Sequence, residues 1–206
     1  MKIYIDGQNF IYKASEVLIN NQRINDKNEL TKIDIVGLFS KIFNQDIEVL
    51  FFGAKVKIVK DYGEDIFYKS QKFSDTSRKL RTYLHKSGVE FVESGKLKVR
   101  DSDDCKACGN KDYRFQEKGV DVGLAVSMVY DRLVLGVDKQ VLVSSDTDLI
   151  PAVKIIRQEG GNICYVGFAN RTTKALMAES DSLVIIRDQE IIDAYDRANP
   201  PKLPTL

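Results

Sequence analysis

Four aspartates fall where apparent strands end or an apparent helix begins. Asp6 stands in Ile3-Tyr4-Ile5-Asp6-Gly7-Gln8-Asn9, Asp121 in Lys118-Gly119-Val120-Asp121-Val122, and Asp146 and Asp148 in Val141-Leu142-Val143-Ser144-Ser145-Asp146-Thr147-Asp148. Carboxylates gathered from distant parts of a chain repel one another unless a cation lies between them, so the pattern reads as a divalent-metal site. Mg2+ and Mn2+ take hard oxygen ligands and keep several waters, which leaves room for a substrate phosphate. The expected chemistry is metal-assisted attack of water on a phosphate ester, with no serine, cysteine or histidine nucleophile. The single histidine, His85, falls in a basic helical stretch with no triad partner in view. Each aspartate also has a local use: Asp6 in a turn, Asp121 at a helix start, Asp148 as a cap. Capping alone does not call for four of them along one edge.

The elements that must position these residues alternate. An apolar strand from Lys2 to Ile5 leads into helical spacing through Phe10, Ala14, Val17 and Leu18, then a polar loop over 20–28. A helix carrying Ile33, Val36, Phe39 and Phe43 precedes a strand over 49–52. Ser74 is placed to cap a helix carrying Leu80, Tyr83 and Leu84, closed by Gly88 before a strand over 89–92. Residues 94–117 break the alternation: Leu97 with Val99 and Tyr113 with Phe115 suggest two short strands around a polar turn, a small hairpin insertion. Helix then strand follow at 120–135 and 141–143, at 148–158 and 163–166, and at 172–178 and 183–186, before a terminal helix. Continuous apolar strands between helices predict an α/β fold, a three-layer α/β/α sandwich around a mostly parallel sheet. One domain over 1–195 and a frayed proline-containing tail over 196–206 are expected. In such sheets ligands bind beyond the carboxyl ends of the strands, where all four aspartates can meet.

Charge by itself decides little, since Lys and Arg total 31 against 30 for Asp and Glu. The segment over 55–86 is locally basic, and Tyr62, Phe67, Tyr68 and Phe73 interleave with its lysines and arginines. That composition suits either a solvated, packed surface or a groove that tracks phosphates and stacks unpaired bases. No stretch reaches the roughly 18 apolar residues of a membrane span, and the chain opens directly on a strand, so a cytoplasmic protein is expected. Three cysteines do not suggest a secreted disulfide framework. Cys105-Lys106-Ala107-Cys108 offers two thiolates on one turn, half of a tetrahedral Zn2+ site; a homodimer could supply the other half, and no metal or a redox role are the alternatives.

The three acidic segments carry a resemblance. Ile5-Asp6-Gly7-Gln8-Asn9, Glu117-Lys118-Gly119-Val120-Asp121-Val122-Gly123-Leu124-Ala125 and Ser144-Ser145-Asp146-Thr147-Asp148-Leu149-Ile150-Pro151 resemble the signature segments of the NYN domain family, the PIN-like nuclease fold that includes bacterial LabA-like proteins. A weaker fourth match is Leu176 to Asp181, and the resemblance spans about residues 1–190. It implies a PIN-like sandwich and a metal-dependent endoribonuclease, to which the basic, aromatic segment adds the expectation of RNA with single-stranded character. By the same resemblance Asp6, Asp121, Asp146 and Asp148 match the metal-binding positions. Asn9 matches an asparagine that orients a carboxylate, water or phosphate. Lys118 matches a lysine beside the acidic helix, where it can contact phosphate or face solvent, and Ser145 can hydrogen-bond a metal-bound water or serve the turn. Two positions depart from the pattern. Ser127 stands where another aspartate is frequent, and Ser145 where glycine is usual. One carboxylate fewer opens a second reading, a catalytically weak RNA-binding or regulatory module.

Asp146-Thr147-Asp148 also suggests an aspartyl-phosphate phosphatase. That motif belongs after an early strand, whereas here it comes late and is followed by Leu149 and Ile150.

Overall fold

Seven strands and seven helices alternate among residues 1–101, 113–169 and 171–201, which the computed structural model describes. In chain order they are β1 (Lys2–Asp6), α1 (Gly7–Asn20), α2 (Ile35–Phe43), β2 (Glu48–Lys55), α3 (Glu64–Lys86), β3 (Glu90–Asp101), β4 (Tyr113–Lys118), α4 (Val120–Leu133), β5 (Lys139–Val143), α5 (Ile150–Gln158), β6 (Asn162–Phe168), α6 (Lys174–Glu179), β7 (Ser182–Ile186) and α7 (Asp188–Ala198). They form one sheet in the order β4-β3-β2-β1-β5-β6-β7. Every pairing is parallel except β3 with β4.

Side chains of a strand alternate between faces, so the central strands feed two cores. Ile3, Ile5, Val141 and Val143 pack with Phe10 and Leu18 of α1, Phe39 of α2, Leu84 of α3 and Ile191 of α7. Tyr4, Phe52, Leu142 and Tyr165 pack with Leu124 and Met128 of α4, Val153 and Ile156 of α5 and Leu176 of α6. Each such fully buried side chain contributes roughly 1.5–3 kcal/mol. The expected three-layer sandwich with a mostly parallel sheet is what the chain forms.

Two expectations need correction. The strand over 89–92 and the short strand at Leu97 and Val99 are one element, the twelve-residue β3. Gly95, at φ +75°, lets the strand bulge instead of ending, and the β2 register shifts between Gly53 and Lys55 at the same level. Since Lys55 pairs with Lys96, the residues beyond 96 overhang the carboxyl edge of the sheet, and β4 folds back along them. The hairpin is therefore a wall raised at that edge. The helix expected to begin at Ser74 begins at Glu64, after Gly63 at φ +90°. Only Ile66, Ser70, Leu80 and Leu84 of α3 are buried, too sparse an apolar stripe to mark the first turns.

At the opposite, amino edge, Tyr4 donates to Asp131 Oδ2 at 2.6 Å, and Lys2 Nζ lies 2.8 Å from the same oxygen. Asp131 is buried and paired. Among the described residues no helix is long and apolar enough to cross a membrane.

Candidate functional site

The chain leaves β1 toward β2, β3 and β4 on one side, then returns through α4 to β5 on the other. Loops departing from β1 and β5 diverge, and a crevice opens at the carboxyl edge between them. Its volume is about 780 Å³, and Asp6, Asn9, Ser145 and Asp146 line one end while Leu97, Phe115 and Glu117 of the hairpin wall line the other.

Three of the four expected aspartates form a cluster. One carboxylate oxygen from each of Asp121, Asp146 and Asp148 lies within 4.8 Å of the others. Asp121 and Asp146 are half-buried and Asp148 is exposed. Asp121 comes from the first turn of α4, whose N-cap position is Gly119, and Asp148 from a 3-10 turn at Thr147–Leu149. Asp146 caps that turn, its Oδ1 accepting the Asp148 N–H at 2.9 Å.

Asp6 stands beside this trio and is tied to it. Its Oδ1 accepts the Asn9 N–H at 3.1 Å, which caps α1, and its Oδ2 accepts the Ser144 hydroxyl at 2.9 Å. Ser144 Oγ in turn accepts the Asp146 N–H at 3.1 Å. Burial pushes the Asp6 carboxyl up; the hydrogen bonds from Asn9 and Ser144 oppose this, and the Asp146 and Asp121 charges add to it. Gly7 is needed next to Asp6 because α1 starts hard against β2: a Cβ there would stand 2.4 Å from the Phe52 carbonyl oxygen.

Asn9 Nδ2 donates to Ser145 Oγ at 2.7 Å, joining α1 to the loop after β5. That loop is held from a third side by Thr173, whose hydroxyl donates to the Ser145 carbonyl at 2.9 Å. Lys118 is exposed at the end of β4 and is not among the crevice-lining residues. Cys105 and Cys108 lie outside the described residues. Of the basic, aromatic segment, Phe73, Thr76, Ser77 and Leu80 reach the crevice, with Phe73 edge-on to Phe115 at 5.0 Å. Tyr62 packs edge-on to Tyr113 instead, and Phe67 against Tyr68. Several cations of the segment are paired: Lys55 and Arg81 with Glu93, Lys72 with Asp26, Arg78 with Asp75.

One residue that stands in the second signature segment without an assigned role is Glu117. Burial pushes its carboxyl up to about 7, with the Asp6 charge adding and a hydrogen bond accepted from the Ala54 backbone N–H opposing. Its signal was the alternation along β4, where Tyr113 and Phe115 are half-buried and an acid occupies the third position of the same face.

The donor set suits a hard cation. All three clustered ligands are carboxylates, and the crevice lining contains no cysteine or histidine. Ligand oxygens around Mg2+ sit at about 2.1 Å from the ion, so the trio could close on one ion with small side-chain movements.

A parallel sheet with acidic residues gathered at its carboxyl edge defines an α/β protein of PIN-like architecture. Residues 1–187 match the NYN domain model, and the chain belongs to the NYN domain family. It is 25% identical over 177 residues to the 6-hydroxy-3-succinoylpyridine 3-monooxygenase HspA of Pseudomonas putida, a match covering 76% of this chain and 55% of that relative. The chain thus spans about half the length of that curated relative. Among solved structures it is similar to a Vibrio parahaemolyticus protein of unknown function, with a TM-score of 0.56 and 18% identity over 90% of this chain and 91% of that one. This last likeness concerns the fold alone.

Proposed function

We propose that the protein is a metal-dependent endoribonuclease that hydrolyses RNA phosphodiester bonds with Mg2+ or Mn2+ held by Asp121, Asp146 and Asp148, with Asp6 completing the acidic set. The observation that carries this reading is the trio itself, three acidic side chains from two separate segments converging at the switch point of the sheet. When bound, the cation would supply an activated water and would stabilise charge on the phosphate.

The chain's own residues do the rest. Asp6, fixed from both sides by Asn9 and Ser144, presents a carboxylate whose position does not depend on the metal. The Asn9 to Ser145 hydrogen bond keeps the loop after β5 against α1, so Asp146 cannot drift from the crevice. Glu117 on the facing wall can carry a proton near neutrality, which equips it to pass one to or from a substrate oxygen. Phe73, Phe91 and Phe115 give the crevice an aromatic side suited to unpaired bases, which favours RNA with single-stranded character.

Carboxylates without imidazole in the crevice favour this hydrolytic chemistry over an oxygenase iron site of two histidines and one carboxylate. His85 lies exposed in the last turn of α3, at the amino edge. Ser127 bears little on the trio, because six residues place it about 9 Å along α4 from Asp121.

Cleavage of a labelled, partly single-stranded RNA with Mn2+, with Mg2+ and with chelator tests the proposal. Metal-dependent cutting by wild type, lost in Asp146→Asn with the fold intact, is expected. Equal rates in the two proteins would sink the assignment, and RNA bound but uncut by both would leave the regulatory module as the function.

A further inference from the structure

The crevice that gathers carboxylates also has three cationic residues in its lining, Lys13, Lys27 and Arg171, of which Lys13 is buried. Lys13 is only 8% exposed, yet lines the crevice together with Arg171. It follows Asn9 by one turn and Asp6 by two, on the same face of α1. Its ammonium donates to the Arg171 carbonyl at 3.2 Å and lies 5.7 Å from the centre of the Phe168 ring. Arg171 enters from the connection between β6 and α6 and pairs with Glu16.

An ammonium has three protons to donate, and a buried one is normally met by a carboxylate. Among the described residues Lys13 forms no ion pair; its hydrogen bond goes to a backbone carbonyl. Burial and the like charge of Arg171 hold its pKa below the usual lysine range, although Asp6 and Glu16 pull the other way. Two cations held side by side in a cavity are the mirror image of the acidic trio. Arg171 has Glu16 as its counterion, whereas Lys13 has none among the described residues, and what it lacks is an anion.

We propose that Lys13 and Arg171 form a phosphate subsite that takes a backbone phosphate next to the one cleaved. This deepens the nuclease reading and rests on it. Seven residues of helix put Lys13 about 10 Å along α1 from Asp6, and the side chain leans back toward the helix start. The subsite is therefore beside the acidic edge without overlapping it. Its consequence is a substrate class: a polynucleotide with at least two consecutive phosphates, in preference to a monoester or an isolated diester.

The test is equilibrium binding of a labelled single-stranded RNA in chelator, over a range of salt, with wild type, Lys13→Met and Arg171→Gln. Methionine fills a similar volume without the buried charge, so Lys13→Met is expected to melt no lower than wild type. Arg171→Gln sits on an exposed loop and repeats the test without touching the core. Each is expected to weaken binding roughly tenfold and to lower the slope of log Kd against log salt by about 0.7, the value for one lost phosphate contact on a single strand. RNAs with one neutral methylphosphonate linkage then locate the contact. Wild type should lose affinity at one linkage beside the cut, and Lys13→Met should be indifferent to that substitution. Unchanged affinity, slope and linkage profile in both variants would overturn the subsite. The nuclease reading fails separately, if Asp146→Asn cuts like wild type while Lys13→Met still loses this contact.

Discussion

Glu117 is the residue whose behaviour is easiest to check, because its environment sets a sign. Its folded carboxyl titrates at about 7 against an ordinary 4.5, so between these values the folded protein holds a proton that the unfolded chain has released. Stability is then complete below about pH 4.5, falls as pH rises, and levels off above about 7. At full ionisation the loss is about 3 kcal/mol, at 1.36 kcal/mol per unit. Asp6, also raised, contributes in the same direction. In chelator, thermal melting is expected to drop between pH 5 and pH 8 for wild type and to drop less for Glu117→Gln. Identical pH profiles would show that Glu117 ionises normally. If Glu117 also moves protons in the reaction, the same variant should flatten the pH dependence of cleavage near neutrality.

Among the elements, the junction between β1 and α1 tolerates least. A Cβ on Gly7 would stand 2.3 Å from a ring carbon of Phe51 and 2.4 Å from the Phe52 carbonyl oxygen, and the backbone oxygen cannot rotate away. Gly7→Ala should cost about 2 kcal/mol in urea denaturation and should weaken Mn2+ binding by shifting Asp6; a neutral result would mean α1 is not seated as described. This junction was legible in the sequence, since Asp-Gly after an apolar strand marks a strand-to-helix turn. The parallel strands and the acidic trio were legible too, because continuous apolar runs and strand-end aspartates are local signals. What escaped depends on contacts across the chain. The length of β3 turned on Gly95, where a positive φ permits a bulge that an apolar count reads as a break. The early start of α3 was hidden by its few buried residues, and Lys13 meets Arg171 from 158 positions away.

Taken whole, the molecule treats the same residue type in opposite ways at the two edges of one sheet. At the amino edge Asp131 is buried between Tyr4 and Lys2, its charge compensated; at the carboxyl edge Asp121, Asp146 and Asp148 face one another. Asp131→Ala should therefore destabilise by about 3 kcal/mol, since it takes the acceptor from the buried Tyr4 hydroxyl and leaves the half-buried ammonium of Lys2 with only the exposed Glu48. In chelator, Asp146→Asn should leave stability unchanged or raise it by about 1 kcal/mol, since it removes repulsion at short range. Chemical denaturation of both variants checks the contrast, and a loss in Asp146→Asn as large as in Asp131→Ala would contradict it. The overhanging hairpin has a consequence of another kind. Asp101 and Tyr113 are paired neighbours where the chain leaves and rejoins the sheet, so an insertion between them leaves every strand pairing in place and costs a closure entropy that grows slowly with length. Descendants of this chain can try new segments between those two positions without retesting the acidic edge each time; recognition can diversify while chemistry is inherited.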